Sequence, residues 1–132
     1  MVRIILTALR STFGGLMNIA ERVIGDVVVV DVSGKITLGD GGDMMLKDKM
    51  RSLIQQGRHK ILLNLGDVSY VDSAGLGEIV QAYGAVSKTG GALKLVNATK
   101  RIKDLLAITK LLTVFESYDS EAEAVTSFSA KV

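Results

Sequence analysis

The stretch Lys60-Ile61-Leu62-Leu63-Asn64-Leu65-Gly66-Asp67-Val68-Ser69-Tyr70-Val71-Asp72-Ser73-Ala74-Gly75-Leu76-Gly77 decides the fold of this chain. Its first six residues are nearly all apolar, with Ile61, Leu62 and Leu63 consecutive, so neither face of the strand they form is solvated. Such a strand belongs in the middle of a sheet, among parallel neighbours. After Asp72-Ser73, the residues Leu76, Ile79, Val80, Tyr83 and Val86 recur at steps of three and four, which describes an amphipathic helix ending near Gly90-Gly91. Ser73 therefore stands at a strand-to-helix turn. The first N–H groups of a helix have no intrahelical partner, and with the positive end of the helix dipole they favour a negative charge placed there. A hydroxyl at that point suits a phosphate acceptor. The plainer alternative makes Asp72 or Ser73 only a helix cap, a role for which both residue types are preferred.

Working toward the N-terminus, two β-branched runs, Asn18 to Ile24 and Val27 to Ser33, flank Gly25-Asp26, a pair suited to a two-residue hairpin turn. Gly39-Asp40-Gly41-Gly42-Asp43 then leads, with an aspartate as helix cap, into a segment that has Leu46, Met50 and Leu53 on one face. Gly57 is placed to end that helix. Toward the C-terminus, Ala92 to Val96 supplies a second interior strand, and Asn97 or Thr99 can cap a helix carrying Ile102, Leu105 and Leu106. Val114 to Tyr118 is the last strand. Ser120 and Glu123 form a capping box for a closing helix with Ala124, Val125 and Phe128 as its apolar residues. The order β-β-α-β-α-β-α-β-α predicts an α/β domain: a mixed, mostly parallel sheet with an antiparallel opening hairpin and about four helices packed on it. In open α/β sheets the carboxyl ends of the strands face the functional crevice, and Ser73 lies just past such an end. Ser33 to Thr37 leaves another strand and is a candidate for the neighbouring wall, although spacing alone does not say whether the two loops share one end of the sheet.

Composition narrows the function. A chain of 132 residues with 48% hydrophobic content fits one domain with a real core. The net charge of +2, with acids and bases intermixed, does not point to nucleic acid. Without cysteine there are no disulfides or thiolate sites, which fits a reducing compartment, with the cytoplasm as the default. The single histidine, His59, does not build a metal site by itself, and no metal or cofactor is expected. Arg10 interrupts the apolar run at the N-terminus, so no signal peptide is expected, and no apolar stretch is long enough to span a membrane. Ser11-Thr12-Phe13-Gly14-Gly15 reads as a linker. Residues 1–16 are accordingly expected to be a tail and residues 17–132 the domain.

Other chemistries fit less well. A serine hydrolase would use Ser73 as nucleophile and His59 as base, but Val71 stands where a nucleophile elbow needs glycine. The glycine-rich loop before Leu46 lacks the ending of a P-loop and the spaced acids of an EF-hand. Met44 and Met45 could add to an exposed apolar contact or belong to the core. Lys100, Arg101 and Lys103 crowd the first turn of their helix, where the dipole mildly disfavours positive charge. Both a small basic patch for an acidic partner and a solvated face are open.

The hairpin, the segment Val71-Asp72-Ser73-Ala74-Gly75-Leu76 and the later Gly90-Gly91-Ala92-Leu93-Lys94-Leu95 together resemble the STAS family, the anti-sigma factor antagonists of bacterial partner switches, over about residues 18–129. The most specific part is Asp72-Ser73-Ala74-Gly75-Leu76, which is similar to the family signature. The resemblance implies a mixed sheet with helices on one side and a non-enzymatic function. It implies that Ser73 is phosphorylated by an anti-sigma factor serine kinase, which supplies the ATP, and reset by a PP2C-type phosphatase. Asp72, Ser73, Ala74 and Gly75, with Lys35 and Thr37 from the neighbouring loop, would meet the kinase. Where relatives often carry an acid in that loop, this chain has Ile36 or Thr37. A non-switching scaffold or signalling-complex subunit is the alternative within the family, and a homodimer is left open.

Overall fold

The computed structural model describes residues 2–5, 17–39 and 41–129, with side chains from residue 17 onward. It is one sheet of six strands in the order β1-β2-β3-β4-β5-β6: Val2–Ile5, Met17–Ile24, Val27–Ile36, Lys60–Val71, Ala92–Val96 and Ser117–Tyr118. The helices are α1 (Gly42–Gln55), α2 (Ser73–Lys88), α3 (Lys100–Ile108) and α4 (Glu121–Ser129). β2 and β3 form the expected antiparallel hairpin, with Ile24 opposite Val27 and Gly25 at φ 63°, a left-handed conformation that glycine adopts without steric cost. From β3 onward every neighbouring pair is parallel. Val2–Ile5, which the sequence assigns to the tail, pair antiparallel with β2. The proposed linker and Asp40 lie outside the described residues.

β4 is the central strand, fully buried at Ile61, Leu62, Leu63 and Leu65. Its neighbour β3 buries four consecutive valines, and pleating sends them to opposite faces. Val28 and Val30 join the main core with Leu46, Met50 and Leu53 of α1, Leu76, Ile79 and Val86 of α2, and Ile102 and Leu106 of α3. Val27 and Val29 instead meet Leu62, Val96 and Ala124, with Val125 and Phe128 of α4 packed against them. Three helices therefore cover one face and α4 covers the other, which corrects the expectation of helices on one side. Four successive valines have no polar face to report which side is covered. Polar contacts hold α4 in place: Arg22 bridges Asp31 and Glu121, and the Lys94 Nζ donates to the Ser127 carbonyl and hydroxyl.

The C-termini of α1, α2 and α3 follow one pattern. At α1 the N–H of Gly57 bonds the Ile54 carbonyl and that of Arg58 the Leu53 carbonyl, and at α2 Gly90 and Gly91 do the same with Ser87 and Val86. These are Schellman closures. α3 closes identically through Lys110 and Leu111, with Lys110 at φ 62°, where a glycine would be unstrained. Thr99, one of the two proposed caps, accepts from the Ile102 N–H, and the Ser120 hydroxyl accepts from Glu123.

Candidate functional site

β4 runs seven residues past its last pairing with β5, Asn64 opposite Val96, and stays paired only with β3 as far as Ile36 opposite Val71. Across two register shifts against β3 the burial passes from the unbroken run Ile61 to Leu63 to every third residue, Leu65, Val68 and Val71. Because β3 and β4 are parallel neighbours, their carboxyl ends lie side by side. The loop after β3 is thus the wall beside Ser73.

Asp72 joins the two. It is the N-cap of α2, with extended backbone, and its Oδ1 accepts from the Gly75 N–H at 2.8 Å. Its Oδ2 accepts from the Leu38 N–H at 3.0 Å, across from the β3 loop, while its own N–H donates to the Ile36 carbonyl at 3.3 Å. The Gly75 and Leu38 donors hold the Asp72 carboxyl below the usual aspartate range, since both favour the ionised form. Gly75 is buried against β3: a Cβ there would collide with the Ile36 carbonyl oxygen. Glycine is required at that point by close approach, with no need for an unusual φ.

With Asp72 occupied as cap, Ser73 becomes the first residue of α2 and is exposed. No acidic side chain lies in the first turn of that helix. Ala74 is half-buried. Lys35, which lies within β3 and not in the loop after it, is exposed and stands opposite Tyr70, whereas Thr37 is buried at 7% exposure, so of the two only Lys35 has its side chain at the surface. Leu38, 67% exposed, and Met44, 49% exposed, are the apolar side chains displayed next to these turns. Leu38 was not singled out by sequence reasoning, and its N–H ties the loop to Asp72; no residue type signals a backbone donor.

The α1 entry differs from expectation. Gly41 occupies the cap position at φ 75° without a side-chain cap, and Asp43 is buried inside the first turn with no partner for its Oδ1 among the described residues. His59 precedes β4 and its carbonyl accepts from Ala92, so the twelve-residue strand separates it from Ser73 by roughly 35 Å. The serine–histidine pair of a hydrolase is not formed. Among the described residues there is no cluster of His, Cys, Asp and Glu fit to hold a metal ion, and no helix is long and apolar enough to cross a membrane.

Residues 18–124 match the STAS domain, and the chain belongs to that family. It is 36% identical over 89 residues to the anti-sigma-B factor antagonist of Bacillus subtilis, an alignment covering 67% of this chain and 79% of the relative. The fold is similar to that of the anti-sigma factor antagonist SpoIIAA in its unphosphorylated form, at TM-score 0.72 and 19% identity over 86% of this chain and 98% of that one. It is also similar to the Bacillus cell fate determinant SpoIIAA in the phosphorylated form, at TM-score 0.64 and 21% identity over 80% and 93% of the two chains.

Proposed function

We propose that this protein is an anti-sigma factor antagonist that binds an anti-sigma factor serine kinase while Ser73 is unphosphorylated and leaves it once Ser73 carries a phosphate, with a PP2C-type phosphatase resetting the switch. The observation that carries the reading is the division of labour at the β4–α2 turn. Asp72 takes the capping role and both of its oxygens are engaged, so Ser73 is left exposed at the start of the helix. The similarity to a chain named anti-sigma-B factor antagonist supplies the partner class.

Phosphorylation adds about −1.5 to −2 charges at pH 7. The helix N-terminus tolerates that charge, so the domain stays folded and the effect falls on the docking surface. There an added dianion costs several kcal/mol through repulsion and desolvation. Incubation with the anti-sigma kinase of the same genome and ATP should add the mass of one phosphate, absent in Ser73→Ala. Ser73→Glu should weaken kinase binding about tenfold or more. Equal binding by both variants would identify a constitutive scaffold, and an unmodified Ser73 beside an active kinase would overturn the switch.

A further inference from the structure

The overhang of β4 leaves one edge of the strand without a neighbour, because β5 stops at Val96, opposite Asn64. Beyond that point α3, which packs on one face of the sheet, flanks the strand without pairing with it. Between them runs an open groove of about 510 Å³ lined by Tyr70, Val71, Lys100, Arg101, Leu105 and Ile108. Its walls are apolar and uncovered: Tyr70 is 42% exposed and Ile108 79% exposed. Its mouth is basic. Arg101 makes no ion pair among the described residues and lies over the Tyr70 ring at 5.4 Å, while Lys100 is held only by Asp104, also a groove residue, in an exposed pair. The first turn of α3 contains no acid, so its positive dipole end adds to the same potential. The groove reaches Val71, the residue before the capping Asp72 and the exposed Ser73 in the chain.

We propose that this groove takes an extended, acidic segment of the partner protein, laid beside the overhang of β4 as an added strand. Main-chain groups on the open edge of a sheet give an added strand its affinity, and flanking pockets for alternate side chains give it specificity. Here alternate apolar residues of the segment would lie against Tyr70 and Ile108, and its carboxylates would meet Arg101 and Lys100 as charge-assisted bonds. The basic first turn of α3, unfavourable for the helix on its own, thereby has a use. The proposal rests on reading the chain as a protein-binding module, but it concerns a surface other than the phosphoacceptor.

The test is backbone-amide NMR titration of the full chain with a short synthetic peptide alternating glutamate and valine. The amides of Tyr70, Val71, Arg101 and Ile108 should shift, and a counterpart with lysine for each glutamate should leave them still. Arg101→Glu, with its folded state verified by a cooperative thermal transition, should weaken the peptide about tenfold or more, and Arg101→Lys should retain most of the binding. Absence of shifts, shifts centred elsewhere, or equal effects of the two peptides would overturn the proposal. Larger shifts with an oligothymidine than with the acidic peptide would assign the groove to nucleic acid and would also overturn it. The titration contains no kinase, so its failure and a failure of Ser73 phosphorylation are separate results.

Discussion

The turn from β3 into α1 and the turn from β4 into α2 lie side by side at the carboxyl end of the sheet, and both press a glycine against the end of β3. A Cβ on Gly42 would strike the Lys35 carbonyl oxygen, and one on Gly75 would strike that of Ile36. Beyond that shared packing they diverge. At α2 the aspartate precedes the helix, caps it and binds the neighbouring loop; at α1 the aspartate is inside the first turn, 5% exposed, with one oxygen unbonded among the described residues. The difference shows that an acid near a helix start has no fixed role. Its position relative to the glycine contact decides whether it faces backbone donors or the packed interior.

Substitution of the glycines breaks what the turns share, and the effect should be the largest. Gly75→Ala pushes a methyl group into a main-chain oxygen that cannot rotate away, so we expect a loss of about 3 kcal/mol or more in chemical denaturation. Gly42→Ala should behave alike; a loss below about 1 kcal/mol at either site would mean that the first turns are not seated on β3 as described.

Removing the α2 cap breaks what distinguishes the turns. Asp72→Ala deletes acceptors for the Gly75 and Leu38 N–H groups and should cost about 2 kcal/mol at neutral pH. The cost should depend on pH. Because the folded carboxyl titrates below its ordinary value, its contribution is fully present above about pH 4 and is lost as pH falls through the folded value. Wild type and Asp72→Ala should therefore converge in stability below that pH, and a constant gap would contradict the hydrogen-bond assignment.

Asp43→Asn sharpens the comparison from the other side. The unbonded oxygen loses nothing when its charge is removed, and the favourable placement of an acid in the first helical turn is worth only about 0.3–1 kcal/mol. A change within about 1 kcal/mol of wild type is expected in the same denaturation measurement. A loss as large as that of Asp72→Ala would show that Asp43 is bonded after all.

Much of this was legible in the residues. The apolar run from Ile61 to Leu65 marked the central strand, Gly25-Asp26 the hairpin, and the steps from Leu76 to Val86 the helix behind the signature. Two kinds of feature were not. Strand length past Leu65 was hidden because, where the register shifts against β3, burial falls at every third residue and shows neither the unbroken apolar run nor the alternation of a strand. The face covered by α4 was hidden because Val27 to Val30 are equally apolar on both sides. At the site, Thr37 looked like a contact residue next to Lys35, yet it is buried just past the end of β3, and no residue pattern marks which side of that exit is covered.

By itself the sequence determined the order of strands and helices from residue 17 onward, the family signature and the placement of Ser73 at a helix start, because these depend on hydrophobic period and local capping chemistry, which act over a few residues; the strand Val2–Ile5 falls in what reads as a tail. Only the tertiary structure decided that Asp72 is shared between its own helix and the loop after β3, that Gly75 is needed by a carbonyl from another strand, and that β4 overhangs its neighbour to leave a groove beside α3. Each of these brings together groups more than thirty residues apart in the case of Asp72 and Leu38, or joins separate elements. No local pattern encodes such a meeting; it follows from parallel register and close packing.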